Sequence, residues 1–95
     1  MPDLDGHLQA PARLKLMTTL TAVSEAEFST LRDTLKVSDS VLSKHLAALA
    51  EVRYITTRKG VHRGRRTTWI SLTSTGGRAL SAHVAVLREL IAGVE

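Results

Sequence analysis

The sequence predicts a mainly α-helical domain with one small β-hairpin, an α+β fold, on three observations. Apolar residues recur at helical spacing in several separate stretches. After Tyr54 the period changes to two, and six cations collect in and around the interval between the two strand-like runs. At the N-terminus Leu4 and Leu8 stand four apart, and Pro11 suits the first turn of a helix carrying Leu14, Leu16, Met17 and Leu20. Ser24-Glu25-Ala26-Glu27 reads as a capping box in which the Ser24 hydroxyl accepts from the Glu27 N–H and Glu27 returns to the Ser24 N–H, so a second helix is expected to start there. Phe28, Leu31 and Leu35 give that helix one apolar stripe. Lys36-Val37 then leads to a cap candidate at Ser38, so two short helices meet across a tight turn.

The third helix is expected from about Asp39 to Ala50. At 100° per residue Leu42, Leu46 and Leu49 fall within a narrow arc that must face the core, which puts Ser40, Ser43, Lys44, Ala47 and Glu51 on the opposite side. Such a small, hydroxylic face with one cation near its start can enter a groove. His45 lies about 60° from the apolar centre by the same geometry, so it fits either a packed edge position or a contacting one.

Beyond Tyr54, Ile55 and Thr57 alternate with Thr56 and Arg58, and Thr68, Ile70 and Leu72 alternate with Thr67, Trp69 and Ser71, the pattern of two strands. Between them the residues from Lys59 to Arg66 contain two glycines and four cations, predicting a long, flexible, basic tip. Trp69 is expected to pack against a neighbouring helix, because aromatic rings mostly contribute buried area. Thr73 can cap a last helix, although Gly76 and Gly77 weaken its first turn. Leu80, Val84, Leu87, Ile91 and Val94 then form a heptad-like seam that Val86 and Leu90 widen, a stripe broad enough to meet a second copy of the chain as well as its own body.

Composition limits what this fold can do. With 95 residues and a mass of 10.3 kDa the chain makes one domain, 1–95, with a modest core. No apolar run is long enough to span a membrane and the start lacks a basic leader, so the cytoplasm is the expected location. Zero cysteines exclude disulfides, thiolate ligands and cysteine nucleophiles. The four histidines are dispersed, no carboxylate pair shares a helical face with one of them, and no phosphate-binding glycine loop is present. An enzyme is therefore not expected, and neither a cofactor nor a metal is called for. The net charge of +4 is unevenly spread. Arg53, Arg58, Lys59, Arg63, Arg65 and Arg66 fall together and leave the rest of the chain at −2, a local field that attracts a polyanion, nucleic acid above all.

Helix, helix, tight turn, helix, basic-tipped hairpin, helix is the order of a winged helix-turn-helix, in which the third helix occupies the major groove and the hairpin tip touches the neighbouring backbone. The helix-turn-helix is expected at about residues 25–50, the wing at about 54–72 and a C-terminal dimerisation helix at about 74–94, with a further dimerisation contribution from the N-terminal segment.

The sequence resembles the small winged-helix transcriptional regulators of the MarR and ArsR types over nearly its whole length. The likeness is carried by Leu4-Asp5, Arg13-Leu14 and Met17, by Phe28-Ser29-Thr30-Leu31, by Val37-Ser38-Asp39-Ser40 with Leu42-Ser43-Lys44-His45-Leu46 and Leu49, and by Tyr54-Ile55, Trp69, Leu72-Thr73 and Gly76. The resemblance implies that Ser38, Ser40, Ser43, Lys44 and His45 face DNA, with Arg63, Arg65 and Arg66 on the wing, where Lys59 and His62 accompany them. It also implies a symmetric homodimer, whose interface the seam assigns to Leu4, Leu8, Leu80, Val84, Leu87, Leu90, Ile91 and Val94. Arg53 departs from the family pattern: it stands where Gly usually precedes the aromatic residue, so a left-handed turn there would cost roughly 1 kcal/mol. Around Arg66-Thr67 the family often carries Pro and then a basic residue, which leaves the base of the wing open.

The expected function is sequence-specific binding of double-stranded DNA by a homodimeric transcriptional regulator, of the repressing kind, on a pseudo-palindromic operator, with a small-molecule effector conceivable. RNA fits less well, because its deep, narrow major groove does not admit a helix. The alternatives are a winged-helix protein-interaction module, or a ligand- or metal-responsive sensor without strong DNA specificity, since fold alone does not settle function.

Overall fold

Residues 4–94 are described by a computed structural model. Asp5 caps a short 3-10 turn at Gly6–Leu8, and Pro11 opens α1 (Pro11–Thr21), which presents Leu16, Met17 and Leu20 to the core. The second helix differs from expectation. Ala26–Glu27 forms a two-residue strand, β1, and α2 (Phe28–Leu35) begins only after it, with Glu27 at the N-cap and no side-chain cap bond. The capping box does not form because its carboxylate is engaged across the sheet, where Thr67 Oγ1 donates to Glu27 Oε2 at 3.0 Å; the neighbouring Glu25 pairs with Arg58. A residue in the left-handed region, Lys36 at φ 56°, ends α2 and delivers the chain to Ser38, whose hydroxyl accepts from Val41 N and starts α3 (Asp39–Glu51).

Leu42, Leu46 and Leu49 of α3 are buried as their arc requires. At its end Tyr54 N donates to Leu49 O and Arg53 N to Ala50 O, the paired bonds of a Schellman motif. Arg53 occupies its left-handed position at φ 63°, so the turn forms although a non-Gly residue bears the cost of that conformation.

β2 (Ile55–His62) and β3 (Arg65–Leu72) pair in antiparallel register from Ile55↔Leu72 to His62↔Arg65, and β1 adds to the other edge of β3 through Ala26↔Ile70, giving the order β1-β3-β2. The hairpin tip is not a long loop. Pairing continues to a two-residue turn, Arg63 at φ 52° and Gly64 at φ 77°, the signature of a type I′ connection that matches the twist of the flanking strands.

Thr73 then caps α4 (Ser74–Ala92) by accepting from Gly76 N at 2.9 Å, while its hydroxyl donates to Arg53 O at 2.6 Å. Gly76, expected only to weaken the helix, is required by packing: a Cβ there would stand 2.1 Å from the Tyr54 carbonyl oxygen. Leu80 closes the core, which draws on every helix and on Ile55 and Ile70. No helix of the described residues is long and apolar enough to cross a membrane.

The N-terminal segment is tied to the same region. Tyr54 Oη donates to Asp5 Oδ2, His7 N donates to Asp5 Oδ1, and Asp5 N donates to Nδ1 of His83, which is buried rather than at the edge of a seam. Burial pushes the Asp5 carboxyl up, but the bonds from Tyr54 and His7 outweigh it and hold it below the usual range. The same contact, with burial, pushes the Tyr54 phenol up to about 12.

Two stability predictions follow from these contacts. Gly76→Ala should destabilise the fold by about 1–3 kcal/mol through overpacking, whereas Arg53→Gly should stabilise it by up to about 1 kcal/mol by relieving left-handed strain; urea denaturation midpoints give both signs. A carboxyl lowered in the folded state contributes stability that is present above its ordinary value of 3.8 and lost as pH falls through the folded value. Melting temperatures carried from neutral into acid pH should therefore fall less steeply for Tyr54→Phe than for the wild type.

Candidate nucleic-acid interface

The outward side of α3 follows from its core side. With Leu42, Leu46 and Leu49 buried, Ser40, Ser43, Lys44 and Ala47 are exposed, as the helical arithmetic requires. Val41, which the sequence reading did not single out, is exposed beside them despite being apolar. Its signal was available, since it sits near 100° from the core centre, outside the buried arc. Ser38 has work inside the chain as the cap of α3, and its Oγ lies 3.2 Å from that of Ser40. His45 is half-buried, with Nδ1 accepting from Arg13 Nε at 3.0 Å. Burial, and then the charge of Arg13, hold its ring below the ordinary histidine range.

The register of the wing sorts its cations. Directly opposed residues of an antiparallel pair share a face, so Lys59, Thr68, Val61 and Arg66 lie on one side of the hairpin and Arg58, Trp69, His62 and Arg65 on the other. Lys59 Nζ donates to Thr68 Oγ1 at 3.1 Å on the first. On the second, the Arg58 guanidinium lies 5.5 Å from the Trp69 ring centre, and His62 meets the same ring edge-on at 5.5 Å. Trp69 therefore packs under the wing's own side chains rather than against a helix. Arg58 is consumed here, held by Glu25 and Trp69, and the hydrogen bonds from Arg58 lower the Glu25 carboxyl. His62 Nε2 stands 3.8 Å from Glu27. Arg63, Arg65 and Arg66 stay exposed at and beside the turn.

A groove joins this wing to the helix-turn-helix. Its walls are Glu27 with Phe28, Ser29, Arg32 and Asp33 of α2 on one side and His62, Arg63, Arg65 and Arg66, with Thr67 and Thr68, on the other. Arg32 continues the surface to α3: its Nε donates to Asp33 and its Nη1 to Asp39, both at 3.0 Å, which raises the guanidinium pKa further and offsets the acid in the first turn of α3. Wing and α2 thus border one groove, in which Arg32 is shared between two exposed carboxylates and the positive charge is concentrated on the wing side. Arg32 was not found from sequence, because only the fold brings it between the two.

The residues assigned to a dimer seam divide. Leu8 and Leu80 are buried in the chain's own core, and Leu4, Val84 and Leu87 are half-buried, so Leu8 and Leu80 are not surface residues. They face inward because the 3-10 turn and the first turns of α4 lie against the helical core. Leu90, Ile91 and Val94 are 54%, 64% and 87% exposed at the end of α4. Among the described residues no three of His, Cys, Asp and Glu gather as a metal ion needs.

The family model described as a winged helix DNA-binding domain matches residues 12–91. Among solved structures, the fold is similar to that of the transcriptional regulator homologue protein from Pyrococcus horikoshii, 26% identical over 94% of this chain and 88% of that one, with a TM-score of 0.86. YusO from Bacillus subtilis is 19% identical over 88% of this chain and 59% of that one, with a TM-score of 0.79. The M. tuberculosis transcriptional regulator MOSR, solved in complex with DNA, is 19% identical over 93% and 62%, with a TM-score of 0.73. The chain thus spans less than two thirds of YusO and of MOSR. No curated protein matches it.

The cap of α3 can be separated from any role of its residue at a ligand. Ser38→Ala should lower stability by about 1 kcal/mol and speed amide exchange in the first turn of α3, while Ser38→Asp, which can still cap, should restore both.

Proposed function

The chain belongs to the winged helix DNA-binding domain family, and from that premise we propose that it is a homodimeric transcriptional regulator, repressing by occupying a pseudo-palindromic operator in double-stranded DNA. The observation that carries this reading is the exposed polar face of α3 in a fold whose wing keeps Arg63, Arg65 and Arg66 exposed across a groove from α2. A helix with a narrow outward face of Ser40, Val41, Ser43, Lys44 and Ala47 fits the roughly 12 Å major groove, and the short, rigid turn at Arg63-Gly64 suits a backbone or minor-groove contact beside it. In this reading Lys44 and the serines meet base edges or nearby phosphates. Lys59, Arg63, Arg65 and Arg66 supply charge at the wing, with His62 beside them as a hydrogen-bonding group. Acids near the wing, Glu25 and Glu27, are turned toward Arg58, Thr67 and His62, which keeps the tip cationic.

Association follows from the need for selectivity. One short helix contacts few bases, whereas two copies about 34 Å apart add their discrimination on one face of the duplex. The exposed Leu90, Ile91 and Val94 supply the apolar surface for that pairing, with Leu87 and Val84 at its margin and Leu4 alongside. We assign the protein to the cytoplasm on the same reading, and leave an effector open to any ligand that shifts the two copies.

Log affinity for DNA should fall steeply with log salt, and each of Arg63→Ala, Arg65→Ala and Arg66→Ala should flatten the slope by about one unit per lost phosphate contact; a flat salt dependence in the wild type sinks the reading. For assembly, sedimentation at micromolar concentration should give twice the mass of one chain. Ile91→Asp should give a folded monomer, because this side chain is exposed within a single chain and its replacement disturbs only the contact between copies. A wild-type monomer that still selects a palindromic site would refute the dimer.

A further inference from the structure

One side chain of α3 has its chemistry set from outside the helix. His45 Nδ1 accepts from Arg13 Nε, and Arg13 stands in the first turn of α1. A guanidinium has only donors and does not lose its proton in proteins, so this bond has a single polarity: Nδ1 must be the bare nitrogen. In a neutral ring the proton then resides on Nε2. Among the described residues Nε2 has no partner within the chain, and no buried side-chain nitrogen or oxygen is left unpaired, so Nε2 opens to solvent. It does so next to Lys44 and one turn after the exposed Val41, at the margin of the outward face.

Charge matters as much as direction. A protonated ring would be drawn to phosphates on any sequence, whereas a neutral donor adds affinity only where an acceptor meets it. Arg13, the cation facing the ring from α1, opposes its protonation.

We propose that Arg13 is a positioning residue that locks His45 in the Nε2–H form, so that α3 offers a neutral donor to a base edge that accepts, guanine N7 and O6, adenine N7 or thymine O4, and turns away the amino group of cytosine. This rests on the DNA-binding reading above and names a determinant of its specificity. Neither residue's type reveals the pairing, since 32 positions separate them in the chain.

The test has two arms. In the DNA-free protein, nitrogen NMR of labelled histidine should show His45 as the Nε2–H tautomer. Arg13→Met should convert the signal to a mixture of tautomers that titrates at higher pH, and Arg13→Lys, which keeps a cationic donor, should restore it. In the second arm, in-vitro site selection with the wild type should show one position per half-site that excludes cytosine. Arg13→Met and His45→Asn should each lose about tenfold of that discrimination, the worth of one hydrogen bond to a base. His45→Gln, which carries an amide donor near the place of Nε2, should keep it. A wild-type ring in the Nδ1–H form, with DNA binding intact, overturns the lock alone. Unchanged selectivity in Arg13→Met overturns the role in recognition. A protein whose ring is Nε2–H but which binds no DNA overturns the DNA reading, and the proposed role with it.

Discussion

The arrangement of this molecule depends on one junction, where the end of α3 and the end of β3 are joined through Thr73. Its hydroxyl donates to the Arg53 carbonyl, its backbone N donates to the Tyr54 carbonyl, and the same hydroxyl oxygen accepts from Gly76 to start α4. Three elements are thereby fixed at one point: the helix with the outward polar face, the base of the hairpin, and the long helix that leaves the body. The spacing is tight enough that only glycine fits at position 76 against Tyr54. Tyr54 extends the hold through its phenol to Asp5, and Asp5 through its own N–H to His83 of α4, so the N-terminal segment is anchored to the same place.

A second constraint is electrostatic, and it works by subtraction. The basic segment would be self-repelling if all its charge stood free. Glu25 pairs with Arg58 and Glu27 faces His62, while Arg58 and His62 both meet the ring of Trp69. What is left uncompensated is at the tip, in Arg63, Arg65 and Arg66. On the other side of the groove Arg32 is shared between Asp33 and Asp39, so it offsets only part of the acid that suits the N-terminal end of α3. Burial of the apolar arc and pairing of the misplaced charges together define a polar, cationic side of the molecule.

The likeness to winged helix regulators agrees with this division, because their fold uses the same parts for the same geometric ends: a helix exposed on one flank and a hairpin beside it. In this chain the division also separates two kinds of apolar surface. Leu8 and Leu80 belong to the core, while Leu90, Ile91 and Val94 lie beyond it on the last turns of α4. A periodicity that runs unbroken along the helix thus serves two environments.

The order of the helices and the hairpin, the inward faces of α1 and α3 and the caps at Ser38 and Thr73 were legible in the sequence, because each rests on spacing or on residues a few positions apart. The outward serines and Lys44 followed from the same arithmetic. What the sequence could not decide were matters of partner choice between distant segments. Glu27 had a local partner available in Ser24, and the sheet outcompeted it. The hairpin tip looked loose because glycines and cations favour loops, yet cross-strand pairing carried both strands to a two-residue turn. Gly76 read as a weak point until the Tyr54 carbonyl was brought against it, and neither Arg13 nor Arg32 showed its partner until folding set them beside His45 and Asp39. Local periodicity determines which face of an element is apolar; only the tertiary structure decides which polar groups meet, since a hydrogen bond or ion pair depends on the position of both partners and the sequence specifies each one separately.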